Sequence, residues 1–275
     1  MNNDAVFGQY YEGNSPLHNA DPRIKLVGVI LYIVVIFLAK SIVSFALLLV
    51  STIAMIISTG IPMKRFIKGL RPILFIMAFT AVINVFWYKG ETLLIDFYFI
   101  NIYLEGIINA ILIALRIIIL IAGTSALLTY TTTPLALTDG LESLLSPLKK
   151  LHVPVHDFSM MMTIALRFIP TLTEETSKIM NAQKARGADF SSGSLIRRAK
   201  ALVPILIPLL VSAFRRAEEL ADAMECRCYT GGEGRTRMNV LKAKPADFII
   251  IILTILLGAA VVLLNIFVPG ITLGI

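Results

Sequence analysis

The chain has 275 residues, 57% of them hydrophobic and only 16% charged, a balance outside that of ordinary soluble domains and characteristic of an integral membrane protein. Its net charge of +7, from 25 Lys and Arg against 18 Asp and Glu, needs no nucleic acid to explain it, because cytoplasmic loops of membrane proteins accumulate basic residues. The two cysteines, Cys226 and Cys228, lie one residue apart, cannot build a disulfide framework and fit a reducing compartment.

Residues 1–25 are polar and carry Asp4, Glu12, Asp21 and Arg23 without an apolar core. No cleavable signal peptide is expected there, and insertion is expected to begin with the first span. Between residues 26 and 63 the only charge is Lys40. As one helix this run is about twice what a bilayer needs, so two spans joined by a turn at Lys40-Ser41 are expected. Lys64, Arg65, Lys68 and Arg71 follow with no acid among them, which places that stretch on the cytoplasmic side. A third span over 72–88 ends in Trp87 and Tyr88, aromatics of the interfacial kind. The loop 89–105, richer in acids than bases, is expected outside. A fourth span over 106–130 holds Arg116 near its middle, and a fifth covers 248–268.

The expected fold is therefore all-α: a polytopic membrane protein with about five transmembrane helices, cytoplasmic N-terminus and outside C-terminus. Residues 1–25 form a cytoplasmic segment, 26–130 a four-helix transmembrane part, 131–245 a cytoplasmic region, and 246–275 the last span with the C-terminus. The region 131–245 holds 16 Lys and Arg against 11 acids. Its apolar residues recur at helical spacing, as in Ala213, Ala217, Met224 and Cys228, with Arg215, Arg216, Glu218 and Glu219 on other faces. A rival reading makes 158–172 and 201–214 a membrane hairpin. Both are short for a span; Arg167 interrupts the first, and Pro204 and Pro208 the second. The hairpin also sends Lys178, Lys184, Arg186, Arg197, Arg198 and Lys200 outside, against the positive-inside rule. Amphipathic helices at the inner leaflet are preferred, with Leu202, Ile205, Leu206, Leu209 and Leu210 as an apolar face that a partner must cover.

Two arginines stand out at expected helix ends, in Ala185-Arg186-Gly187 and in Cys226-Arg227-Cys228. Arginine at a helix C-terminus has two explanations. One is compensation of the helix dipole, with Gly187 as the helix stop. The other is a guanidinium that projects into a partner's groove and pairs bidentately with carboxylates. The duplication favours docking. Gly231 to Thr236 lacks the spacing of a Walker loop, and Cys226 with Cys228 has no further ligand for a tetrahedral metal site. His152 and His156 are separated by Pro154, which argues against a zinc-binding helical face, and His18 is isolated. Arg116 is costly at mid-span and must find a partner, with Asn84, Asn109 or another subunit as candidates. It reads as an internal structural charge, and as the solute site in the alternative that this is a self-sufficient permease or channel. No catalytic constellation emerges.

Several strings together resemble one family, the transmembrane coupling subunit of energy-coupling factor transporters, EcfT, related to CbiQ. They are Gly8-Gln9-Tyr10, Ser15-Pro16-Leu17-His18 and Asp21-Pro22-Arg23-Ile24-Lys25, then Leu115-Arg116, Thr131-Thr132-Thr133-Pro134 and Ala165-Leu166-Arg167-Phe168-Ile169-Pro170, and finally the two arginine motifs. Their order covers almost the whole chain. The second motif departs from Ala-Arg-Gly by placing cysteine on both sides of the arginine.

The resemblance implies a non-catalytic subunit of a bacterial or archaeal cell membrane. Two ABC-type ATPases, as homodimer or heterodimer, would hold ATP and Mg, and this chain would bind no cofactor. Arg186 and Arg227 would each enter one ATPase groove at the tip of a coupling helix. Helices from about residue 138 to 229 would face a small membrane S component that captures a vitamin or another micronutrient.

Overall fold

The structure, a computed structural model, describes residues 10–87, 92–97, 100–151, 153–190, 194–231, 241 and 243–267. Tyr88, His152, Lys242 and residues 232–237 lie outside that set. Three of the α-helices start with proline, at Pro16, Pro22 and Pro134, where its missing N–H is not needed. Helix α1 (Pro16–Asn19) is capped by Ser15, and α2 (Pro22–Leu38) by Asp21, whose carboxylate accepts the Arg23 N–H at 2.9 Å. Next come α3 (Ile42–Thr59), α4 (Met63–Trp87), an antiparallel hairpin of β1 (Leu93–Phe97) and β2 (Ile100–Tyr103), and α5 (Leu104–Thr124) with a π-helical turn at Ser125–Thr129. After these follow α6 (Pro134–Leu145), α7 (Val155–Ala185), α8 (Leu195–Glu225) and α9 (Phe248–Phe267).

Among the described residues, four helices are long and apolar enough to cross a membrane: Ile42–Thr59, Met63–Phe86, Leu104–Thr129 and Pro245–Phe267. The turn expected at Lys40-Ser41 is present between α2 and α3. The first of the five expected spans corresponds to α2, an apolar helix of 17 residues. Arg23 and Lys25 occupy its first turn, so the uncharged part rises only about 20 Å, against a hydrocarbon core of about 30 Å. Residues 158–172 and 201–214 are not separate segments. They lie inside the 31-residue helices α7 and α8, neither of which is among those four.

Contacts divide the chain into two units, one built on 9–141 with 241–275 and the other on 142–240. Residues 131–141 thus group with the first unit, ahead of the expected boundary region. The cause is visible at Lys25, which is fully buried. Its ammonium donates to the His18 carbonyl at 3.2 Å, the Thr131 carbonyl at 3.0 Å and Thr132 Oγ1 at 3.1 Å. Asp247 and Asp21 lie near enough to offset its charge. Gly140 also sits against Pro22, where a β-carbon would meet the proline ring at 3.0 Å.

Within this unit α2 packs against α9, α5 and the π-helical turn, and α3 packs against α5 and α9. A β-carbon at Gly123 of α5 would overlap the Tyr32 ring, so only glycine lets α2 approach so closely. The Tyr32 hydroxyl donates to Thr52 Oγ1 at 2.7 Å, because the Thr52 hydroxyl already donates to the Leu48 carbonyl at 2.6 Å. At the other end of α2, Asn265 of α9 closes the α2–α3 turn. Its Nδ2 donates to the Leu38 carbonyl at 2.8 Å, while Oδ1 accepts from the Ser41 N–H at 3.2 Å and the Ser44 hydroxyl at 2.9 Å.

Replacing Lys25 with Met is expected to leave the His18 and Thr131 carbonyls without this donor and to remove a neighbouring cation from Asp247 and Asp21. The expected loss is about 3 kcal/mol, read as a lower Tm in mild detergent. Lys25→Arg should restore little of it, since three converging acceptors suit a compact ammonium better than a planar fork.

Candidate functional site

The two arginine motifs close α7 and α8, both helices of 31 residues. At the end of α7 the Gly187 N–H donates to the Lys184 carbonyl at 2.9 Å and the Ala188 N–H to the Gln183 carbonyl at 3.0 Å. Gly187 takes φ +88°. These are the two reversed bonds of a Schellman turn, with the left-handed residue directly after Arg186. At the end of α8 the Cys228 N–H donates to the Glu225 carbonyl at 2.8 Å and the Tyr229 N–H to the Met224 carbonyl at 3.0 Å. Cys228 takes φ +55° and is the one non-glycine residue with positive φ among those described. The second motif therefore makes the same turn with cysteine in the glycine position.

Ala185, Arg186 and Gly187 are exposed, as are Cys226, Arg227 and Cys228. Neither guanidinium has an ion-pair partner among the described residues. Both cysteines are free thiols, and no group of three or more His, Cys, Asp or Glu among the described residues is placed to hold a metal. His156 instead bonds Glu142 through Nδ1 at 3.2 Å. His18 is built into the N-terminal turn, its Nε2 donating to the Tyr11 carbonyl at 2.9 Å and its Nδ1 lying 2.7 Å from the Ser15 hydroxyl.

What joins the two helices was not visible from spacing. Glu175 of α7 accepts from Arg216 Nη2 of α8 at 3.2 Å. A hydrogen bond from Ser212 and the Arg216 charge hold the Glu175 carboxyl below the ordinary carboxylate range. Arg186 lies eleven residues beyond Glu175, and Arg227 eleven residues beyond Arg216. Each guanidinium is thus carried about 16 Å from the same crossing, close to three full helical turns and so on nearly the same face as the residue at the crossing. The prolines inside these helices, Pro170, Pro204 and Pro208, all precede the crossing. Both terminal arms are free of the residue that kinks helices.

On α8 the apolar face expected from sequence is only partly correct. Leu202, Leu206 and Leu210 are exposed with Val203, Ile207 and Phe214, whereas Ile205 is buried at 5% and Leu209 half-buried. The exposed stripe follows i, i+4, i+8, and Ile205 belongs to the opposite face.

Arg116 belongs to the other unit. Its Nη2 donates to the Ala39 carbonyl at 2.8 Å, and its guanidinium lies 5.3 Å from the Phe45 ring centre and 5.8 Å from that of Phe37. Neither Asn84 nor Asn109 is its partner. Asn84 donates to the Thr80 carbonyl of its own helix at 2.9 Å. The carbonyl just past the end of α2 is the stronger claim on the cation, because no backbone donor continues the helix there.

Cys228→Gly is expected to stabilise the end of α8 by about 1 kcal/mol, since a β-carbon in left-handed geometry costs about that much. Slower amide exchange at Cys228 and Tyr229 would report it, and Cys228→Val should speed exchange. Because the Glu175 carboxyl is depressed, its stabilising contribution is present above the ordinary carboxylate range and is lost as pH falls through the lowered value. Glu175→Gln should therefore flatten the acid limb of the stability profile, followed by helical circular dichroism against pH.

The profile of the CbiQ family, described as cobalt transport protein, matches residues 13–240. Proteins named energy-coupling factor transporter transmembrane protein EcfT align along nearly the whole chain. That of Ruminiclostridium cellulolyticum is 52% identical over 265 residues, 96% of this chain and 98% of its own length. That of Clostridium kluyveri is 51% identical over 90% of this chain and 92% of its own. The Bacillus subtilis protein is 47% identical over 94% and 97%. With most of its length inside the family profile and such relatives aligned end to end, the chain belongs to the CbiQ family of transporter membrane proteins, among the energy-coupling factor transporter transmembrane components.

Proposed function

We propose that this chain couples ATP hydrolysis by two cytosolic ABC-type ATPases to uptake of a vitamin or another micronutrient, captured by a small membrane S component. The observation that carries this reading is the matched pair of helix ends. Arg186 and Arg227 sit on turns of one geometry, at equal distances from one crossing, on arms without proline. Such a unit transmits a displacement at its tips to the crossing as rigid rotation. Each guanidinium pairs with acidic groups in one ATPase groove, and the exposed stripe of Leu202, Leu206 and Leu210 faces the S component. Hydrolysis belongs to the ATPases, which hold ATP and Mg; this chain is non-catalytic. Its basic central region and N-terminus lie in the cytoplasm.

Against the self-sufficient permease, Arg116 spends its guanidinium on a helix-end carbonyl flanked by two aromatic rings. That supports a structural charge more than a solute site.

Arg186→Ala or Arg227→Ala alone is expected to weaken ATPase binding by about 2 kcal/mol, roughly 30-fold. The double variant should abolish co-purification of the ATPases and uptake, while the S component still binds its ligand; unchanged uptake would overturn the assignment. Lysine at both positions should rescue only partly, because the bidentate fork is lost. Orientation is testable with the chain's own thiols. A membrane-impermeant maleimide should label Cys226 and Cys228 in inverted vesicles of the ATPase-free chain and leave them unlabelled in right-side-out vesicles.

A further inference from the structure

We propose that α4 carries a binding site for a single anionic phospholipid, with its headgroup on Lys64, Lys68 and Arg71 and an acyl chain along Phe75, Phe79, Val82 and Phe86. These seven residues recur at i, i+4, i+7, i+11, i+15, i+18 and i+22, which is one continuous stripe on a helix. All seven are exposed, Phe75 the most of the four apolar ones at 80%. The opposite face is the one that packs. It holds buried Phe66 and Met77, with Phe66 edge-on to the Tyr130 ring at 4.9 Å between centres.

Charge selects the occupant. Among the described residues, none of Lys64, Lys68 or Arg71 forms an ion pair. The neighbouring Arg65 is set apart from them, its guanidinium 4.4 Å from the centre of the Tyr11 ring. Three cations with no acid beside them attract an anion, and the stripe then turns apolar without a break. The basic part rises about 10 Å and the apolar part about 16 Å, close to an interfacial layer followed by one leaflet of hydrocarbon. Bilayer lipid covers Phe75 to Phe86 on this candidate span, and a neutral headgroup would bring no charge to the three cations beside it. A phospholipid with a negatively charged headgroup satisfies both halves at once.

The test uses the full chain reconstituted in vesicles of equal phosphatidylcholine and phosphatidylglycerol, re-extracted in mild detergent, with the retained lipid measured by mass spectrometry. Wild type should retain phosphatidylglycerol in preference to phosphatidylcholine. K64Q/K68Q/R71Q should lower that preference at least about fivefold, the effect expected from surface cations at a headgroup. K149Q/K150Q/K200Q, which removes the same charge elsewhere, should leave it unchanged, and K64R/K68R/R71K should preserve it. Photoreactive phosphatidylglycerol with the probe on its acyl chain should label wild type within residues 75–86, a measurement that needs no variant to fold. Equal retention by wild type and the glutamine triple variant would overturn the proposal. So would displacement of the lipid by glycerol phosphate or inorganic phosphate, which would mark a free-anion site. Crosslinks from the stripe to a protein in the native membrane in place of lipid would also overturn it.

Discussion

A carbonyl left over at the end of a helix inside a bilayer has no water to bond, so the protein must supply the donor itself. In the unit built on 9–141 and 241–275, Lys25, Asn265 and Arg116 do this. Lys25 donates to the His18 carbonyl in the last turn of α1 and to the Thr131 carbonyl beyond the π-helical turn. Asn265 takes the Leu38 carbonyl and Arg116 that of Ala39, both at the end of α2. Helix α2 is thereby fastened at both ends by groups from elsewhere in the chain.

This constraint also explains what was legible in the sequence. The apolar runs around α3, α4, α5 and α9 announced themselves through length and hydropathy, and the turn at Lys40-Ser41 through its single charge. Arg116 announced that it needed a partner. Its partner stayed hidden, because the choice among Asn84, Asn109 and a backbone carbonyl depends on which helix end folds next to α5. Lys25 was harder still. At the boundary between a polar segment and an apolar run it reads as a solvated flank, and only its distance to Thr131 and Thr132, over a hundred residues away, turns it into the tie between the two ends of the unit.

The arginine motifs were visible as a repeat, but their equivalence was not. Ala-Arg-Gly and Cys-Arg-Cys differ at both flanking positions, and cysteine after the arginine gives no signal of a left-handed residue. The hydrogen bonds give both turns one form, so what the two motifs share is the backbone path around the arginine. Cysteine is small and unbranched, which lowers the steric cost of that path below that of a β-branched residue without removing it. A chain that accepts this cost at Cys228 keeps the geometry while abandoning the residue that makes it easiest.

The positions of the prolines complete the argument for a mechanical unit. Pro170 lies before Glu175 on α7, and Pro204 and Pro208 lie before Ser212 and Arg216 on α8. Each proline removes one backbone bond and opens the helix to bending at that place. Bending is thus confined to the N-terminal side of the crossing in both helices, while the eleven-residue arms beyond it keep an uninterrupted ladder. If the tips moved independently, a proline in either arm would be tolerated and the ion pair at the crossing would be of little use. In the proposed coupling role, with both arms free of proline and the crossing bonded through Arg216 and Glu175, displacement of either arginine turns the pair about that ion pair.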